Sequence, residues 1–581
     1  MHSLRNTFIN DNASKAYPNY WDVVALLLVF GVIAALAYVA REMATPYHVG
    51  QVIVLSLDPG YLPGYALRTV MRMLIAMLFS LLFTFIFSTW AAKSKRAERI
   101  IIPVIDILQS VPILGFLSIA VVSFIALFPG SLLGPECAAI FVIFTSQAWN
   151  MALGFYQTVS SVPTELHEAG TMFQLSSWQR FWRIDVPFSM PGLLWNMMMS
   201  MSAGWFFVVA SEAISVSNQE ILLPGVGSYI ALAIKAANMS AIGYAILTMF
   251  IVILVYDQLL FRPLVAWAEK FKAEQITEEG GQAESWVINL LHRTRLLRLL
   301  GNKLAHLFDA FVNLSFFRKK PVDLVSQTRL MRYQSIARWV SNGALIAVVV
   351  CSLVLIDRFI IHPLPFSELR HVLFVAFATA LRVFCSLVVC TLIWVPLGVW
   401  IGLRPSVAHI VQPIAQFFAA FPSNLLYPLV VILIVTYHLN VDIWVTPLMI
   451  LGAQWYVLFN VVAGASLIPK DLLQVTDNLG LSTLLRWRRL ILPAIFPYYI
   501  TGAITAVAGA WNASLVTEVV TWGKDTLVAR GLGAYIAEST ASGHFTNVAL
   551  GIGVMCLFVL LMNRLVWKPL YVLSHERFRL D

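Results

Sequence analysis

Long uninterrupted apolar runs dominate this chain, and a run of about 20 apolar residues crosses the ~30 Å hydrocarbon core of a bilayer as a helix. Twelve candidate spans lie near residues 21–40, 69–91, 107–128, 136–157, 191–212, 240–262, 339–361, 372–403, 413–436, 441–462, 495–520 and 544–566. Lipid offers no hydrogen-bond partner, so each run must satisfy its backbone internally, as a helix does. Composition agrees: 59% of residues are hydrophobic and 12% charged, where soluble domains hold roughly half and a quarter. The expected fold class is an all-α polytopic membrane protein. The run from Trp21 is too long for a signal-peptide core and reads as a retained anchor. Prolines interrupt the third and ninth runs, at Pro112 and Pro422.

The net charge of +9 reports orientation rather than a nucleic-acid partner. Lys93, Lys95, Arg96 and Arg99 follow the second span, and Arg180 and Arg183 follow the fourth. The alternate loops are poor in cations, with none from Gly130 to Glu136 and only Lys235 from Ala213 to Ala241. By the positive-inside rule, both termini and the even-numbered loops are expected in the cytoplasm, with membrane lipid as a contact for the basic clusters. Cys137, Cys351, Cys385, Cys390 and Cys556 are scattered, as are the histidines, so no metal site is expected.

The chain repeats itself. At an offset of 310, Thr69, Arg72, Pro103 and Pro112 meet Thr379, Arg382, Pro413 and Pro422. At 306, Trp149, Pro163, Pro187, Pro191, Trp205 and Glu212 meet Trp455, Pro469, Pro493, Pro497, Trp511 and Glu518. GVGSYI from Gly225 meets GLGAYI from Gly531. Two six-span units of equal orientation imply a pseudo-twofold axis along the membrane normal. The expected division is residues 1–262, a cytoplasmic linker 263–338, and 339–581. Within the linker, Leu291–Leu314 has helical apolar spacing and is expected on the membrane surface or on an adjacent subunit.

Two loops between the fourth and fifth spans of each unit stand out: PTELHEAGTMFQLSSWQRFWRIDVP from Pro163 and PKDLLQVTDNLGLSTLLRWRRLILP from Pro469. Each reads as two short helices and a turn, a knob suited to a groove on another protein. They resemble the EAA signature of ABC-importer permeases. In the first, Glu168, Ala169 and Gly170 take the Glu-Ala-Ala positions, followed by Gln174, Ile184, Val186 and Pro187. In the second, Gln474, Val475 and Thr476 are followed by Gly480, Leu490, Leu492 and Pro493. The first copy lacks the motif's glycine, and the second lacks its glutamate and alanines.

The resemblance extends through QSVPILGF, FTSQAWNM, AGWFFVVASEAIS and GAWNASLVTE to the duplicated permeases of nitrate/sulfonate/taurine-type importers. That family implies two parallel type I importer halves in a bacterial inner membrane. It implies a cytoplasmic ABC ATPase dimer gripping both loops and an extracytoplasmic substrate-binding protein. ATP and Mg would sit on the partner subunits, with no cofactor on this chain. A small anion is the implied substrate class, although ferric-iron and thiamine permeases are also fused doubles. The only Gly-Lys pair, Gly523-Lys524, lacks the rest of a phosphate loop, so the chain is not read as an enzyme. A major-facilitator-type secondary transporter would share the six-plus-six layout. Matched docking loops and scarce mid-span charge favour the importer.

Candidates for the translocation path are Trp205, Glu212, Trp511, Asn512 and Glu518, with Gln147, Asn150, Asn196, Ser211 and Gln454 as further polar positions. Counted from Pro191 at ~1.5 Å per residue, Trp205 lies ~21 Å and Glu212 ~32 Å up the fifth span, on one helix face. Matched tryptophans on matched helices are expected to meet across the axis as a constriction.

Overall fold

The computed structural model describes residues 20–268, 286–314 and 365–577, less 44, 48–50, 52, 111–112 and 217–218, with a few isolated positions between 350 and 358. Nine helices among these are long and apolar enough to cross a membrane, or ten if one bent pair counts as a single span. In the first half they are α1 (Tyr20–Met43), α2 (Pro59–Lys93), α5 (Leu133–Ser160), α7 (Ser177–Glu212) and α9 (Met239–Ala268). In the second they are α12 (Phe366–Gly402), α15 (Val441–Ser466), α17 (Thr483–Thr517) and α19 (Phe545–Ser574). The span expected at 339–361 lies almost wholly outside the described residues.

The third and ninth runs do not form straight spans. The third divides into α3 (Lys95–Ser110) and α4 (Leu117–Leu127), joined through a 3₁₀ turn at Ile113–Phe116. The ninth divides into α13 (Pro405–Ala420) and α14 (Ser423–Thr436), which meet at 79°. Pro422 explains the second break: it lacks an N–H and disfavours α geometry at the residue before it, and Phe421 is extended (φ −72°, ψ 129°).

Proline also marks the ladder elsewhere. Wide, i→i+5 turns occupy Phe181–Asp185, Asp257–Phe261, Trp487–Ile491 and Asn563–Trp567. Each ends two residues before a proline: Pro187, Pro263, Pro493 or Pro569. A proline inside a helix clashes with the carbonyl four residues back, and one turn of wider bonding absorbs the misfit. The repeat therefore extends to these bulges. A fifth, Thr84–Ser88, has no such proline.

Loop α6 (Thr164–Met172) precedes α7 in the first half, and α16 (Lys470–Asn478) precedes α17 in the second. The expected second short helix of each loop is not separate: Ser177–Arg180 and Thr483–Arg486 run through a wide turn into the span. The fifth span thus begins well before Pro191. Beyond α7 and α17 lie the hairpins β1–β2 (Ala213–Val216, Gln219–Leu222) and β3–β4 (Val519–Trp522, Asp525–Val528). The short helices α8 (Val226–Lys235) and α18 (Leu532–Ala541) follow. At the end of the spans next to α6, Lys93 pairs with the fully buried Asp185 at 2.6 Å. Of the expected linker, α10 (Trp286–Arg293) and α11 (Arg295–Val312) are described; the boundary expected at 262 falls inside α9.

Candidate functional site

The loops that begin at Pro163 and Pro469 are built alike from different residues. After α6 the chain reverses at Gln174, φ +54°, and after α16 at Gly480, φ +60°. In each, a 6→1 bond closes the helix end: Leu175 N donates to Gly170 O at 3.0 Å, and Leu481 N to Thr476 O at 3.1 Å. Left-handed backbone suits glycine, and in the first loop Gln174 adopts it without one. Ser176 then caps the next helix in a reciprocal box with Gln179. Gly170 is buried, and an added Cβ would press on Ile184 Cδ1 at 2.8 Å. Its counterpart Thr476 is also buried, whereas Glu168, Gln474 and Val475 are exposed and Ala169 is half-buried. Each loop tip presents an unpaired apolar side chain at the same repeat position, Phe173 (78% exposed) and Leu479 (68% exposed).

At the opposite end the repeat markers converge. Arg72 Nε and Nη2 donate to Glu136 Oε2 and Oε1 at 2.6 and 2.7 Å, and Nη1 donates to Glu212 Oε1 at 2.6 Å. Thr69 Oγ1 donates to the same Glu212 oxygen at 2.7 Å. Gly227 N, at the start of α8, donates to Glu212 Oε2 at 2.6 Å, where the positive end of the helix dipole favours an anion. In the second half Thr379 and Arg382 hold Glu518 Oε1 at 2.7 and 2.9 Å, and Gly533 N holds Oε2 at 2.7 Å. Asp442 occupies the Glu136 position, binding Arg382 Nη2 at 2.9 Å with its side chain 42% exposed. A Cβ at Gly225 or Gly531 would overlap the carboxylate, so the first glycine of GVGSYI and GLGAYI makes room for the acid.

Sequence reasoning placed Glu212 and Glu518 on the path; both carboxylates are instead spent on this network and fully buried within their own halves. Buried charge is present near the span ends, and it is paired. Trp205 and Trp511 do not meet. Each is 1% exposed and sits in a separate core, Trp205 edge-on to Tyr256 at 5.5 Å and Trp511 6.4 Å from Phe558. Among the further polar candidates, Asn150 Nδ2 donates to Ser200 Oγ at 3.0 Å, Gln147 contacts Met73 and Met201 sulfurs, and Asn196 bonds Gly192 O at 2.8 Å. They pack α5 against α7. The small-residue steps matter here too: a Cβ at Gly204 would strike Gln147.

Asn512 does reach the interface between halves. Its Oδ1 accepts from Ile113 N at 2.8 Å, in the turn of the broken third span. Phe206, the repeat partner of Asn512, accepts from Asn424 Nδ2 at its carbonyl oxygen at 3.1 Å, one residue beyond the repeat partner of Ile113. Ser202 also bonds Ala419 O, Phe250 and Phe417 rings lie 4.6 Å apart, and Gly523 N donates to Ile234 O at 2.9 Å. Phe206, Ile113 and Asn424 escaped sequence reasoning. The signal lay in the sequence, where Pro112 and Pro422 are repeat partners and the described 3₁₀ turns Ile113–Phe116 and Ser423–Leu426 follow.

A family model described as "Binding-protein-dependent transport system inner membrane component" matches residues 84–261 and 395–570, together more than half the chain. The nitrate import permease protein NrtB of Leptolyngbya laminosa is 29% identical over 189 residues, 32% of this chain and 64% of that protein. The bicarbonate transport system permease protein CmpB of Synechococcus elongatus is 26% identical over 199 residues, 34% of this chain and 68% of its own length. The taurine transport system permease protein TauC of Escherichia coli is 25% identical over 187 residues, covering 32% and 64%. Each match covers about a third of the chain. The chain belongs to the family of binding-protein-dependent transport system inner membrane components, and it carries that family's domain twice.

Proposed function

We propose that the chain forms both membrane halves of an ATP-driven importer for a small anion, coupled through its two loops to a separate ABC ATPase dimer that carries the ATP and Mg. An extracytoplasmic binding protein delivers the substrate at the hairpin end, and both termini face the cytoplasm. The observation that carries the reading is the matched pair of helix–turn–helix loops, each with an exposed apolar tip at the same repeat position. The anion class rests on the three relatives named for nitrate, bicarbonate and taurine.

The path runs along the interface where Phe206 and Asn512 meet the turns at Ile113–Phe116 and Ser423–Leu426. Trp205, Trp511, Glu212 and Glu518 back that wall from inside each half and hold the neighbouring residues in place. Replacing Ala169 with Asp sets a carboxylate into a half-buried contact, at a cost of about 1–3 kcal/mol if it is left unpaired. The variant should insert normally yet hydrolyse ATP without moving substrate. If the ATPase is a homodimer, two identical grooves meet two different knobs, and Glu168→Gln should then lower transport more than Gln474→Ala. Normal transport by Ala169→Asp with the ATPase still bound would remove these loops as coupling elements.

A further inference from the structure

Helix α11 contacts the first coupling loop, and among the described residues no helix makes the matching contact on the second. Trp178 Nε1 donates to Phe311 O at 3.3 Å, and Gln179 Nε2 and Arg183 Nη2 donate to Asn313 Oδ1 at 3.0 and 3.2 Å. The rings of Phe308 and Phe311 stand against Trp182 and Trp178, 5.4 and 5.2 Å between centroids. The repeat positions of Trp178 and Trp182 are Leu484 and Arg488, and Leu484 is exposed. The linker helix therefore holds the foot of α7, and the foot of α17 lacks the matching aromatic pair.

The apolar face of α11 continues beyond this contact and is open at Leu304 and Leu307. Leu304, Leu307, Phe308 and Phe311 recur at i, i+3, i+4 and i+7, one helix face, with Leu304 62% and Leu307 66% exposed. Asn302 and His306 fall on the opposite face. The helix sequence carries Arg295, Arg298 and Lys303 against one acid, Asp309. It packs against the membrane span α1, and α10 packs against the end of α9, so it lies at the level of the span ends. Trp178 and Trp182 beneath it are the side chains that settle at a bilayer interface. An apolar stripe, a cationic excess and an interfacial position fit an anionic lipid surface.

We infer that α11 is an interfacial helix binding anionic lipid of the coupling-loop leaflet, and that through Phe308, Phe311 and Asn313 it stiffens the first coupling segment alone. The functional import of this stiffening rests on the coupling reading above; the binding itself does not. The full chain in vesicles of phosphatidylcholine, with or without phosphatidylglycerol, tests it without any transport assay. A benzophenone amino acid placed at Leu304 or Leu307 should crosslink to lipid, and one placed at Asn302 or His306 should not. Each basic residue at an anionic surface is worth about five-fold in partitioning, so replacing Arg295, Arg298 and Lys303 with Gln should abolish most of that crosslinking. Hydrogen exchange at 177–185 should slow severalfold when phosphatidylglycerol is present, while 487–491 stays unchanged. No lipid crosslink from Leu304 or Leu307, or equal crosslinking from Asn302 and His306, would overturn the inference, as would exchange that ignores lipid charge or changes equally in both loops.

Discussion

Arg72→Met and Arg382→Met remove the same repeat position from the two halves, and the structure sets different costs. Arg72 is fully buried between Glu136 and Glu212, neither of which has any exposed side-chain surface. Breaking one buried pair by removing a partner costs about 3–5 kcal/mol. Stranding two fully buried acids puts Arg72→Met at or above ~5 kcal/mol. Arg382→Met strands one buried acid, Glu518, while Asp442 keeps water on its 42% exposed side chain. An exposed pair contributes under ~1 kcal/mol, so the second variant should cost nearer ~3 kcal/mol. The assay is SDS titration of the purified chain in mixed micelles, with thiol labelling to report each half. Cys390, fully buried in the second half, and the half-buried Cys137, beside Glu136 in the first, are built-in probes. Arg72→Met should open Cys137 at lower SDS than Arg382→Met opens Cys390. If the Arg382 variant is equally or more destabilised, the differential burial of the two networks does not govern their strength.

Three further outcomes follow from the same geometry. Gln174→Gly should stabilise the first loop by ~1 kcal/mol, since a left-handed backbone costs other residues about that much, whereas Gly480→Ala should destabilise the second by a similar amount; hydrogen exchange at each loop checks both. Gly225→Ala and Gly531→Ala should abolish accumulation of folded protein in membranes, because a Cβ there overlaps the Glu212 or Glu518 carboxylate. Ser176→Ala should fray the start of α7 by ~1 kcal/mol through loss of its cap, seen as faster exchange at 177–180 and not at 483–486.

Apolar runs and fixed-offset repeats revealed most of the spans and the duplication, because burial in lipid dictates both length and composition. The loops were readable from Pro163, Pro469 and Gly480, whose backbone preferences are local. What the chain did not disclose is direction around a helix. Trp205 and Phe206 are adjacent, yet 100° of rotation sends one into its own core and presents the other to the opposite half. Glu212 was correctly placed at the end of its span but faces Arg72 and the start of α8, a partnership 140 residues apart in the chain. Arg72 and Arg382 were read as repeat markers alone. That they recur together with Thr69, Glu212 and GVGSYI is explained by one buried network in each half. Asn512 was singled out for its polarity, and its partner Ile113 became visible only once the third span was seen to break.

Uptake into proteoliposomes decides whether ATP on a separate subunit drives this permease. The chain is reconstituted with its ATPase and binding protein and offered labelled nitrate, bicarbonate or taurine. Uptake of one of these anions that requires ATP, the ATPase and the binding protein together is the predicted result. Uptake by the chain alone, driven by an ion gradient and indifferent to ATP, would contradict it and establish a secondary transporter.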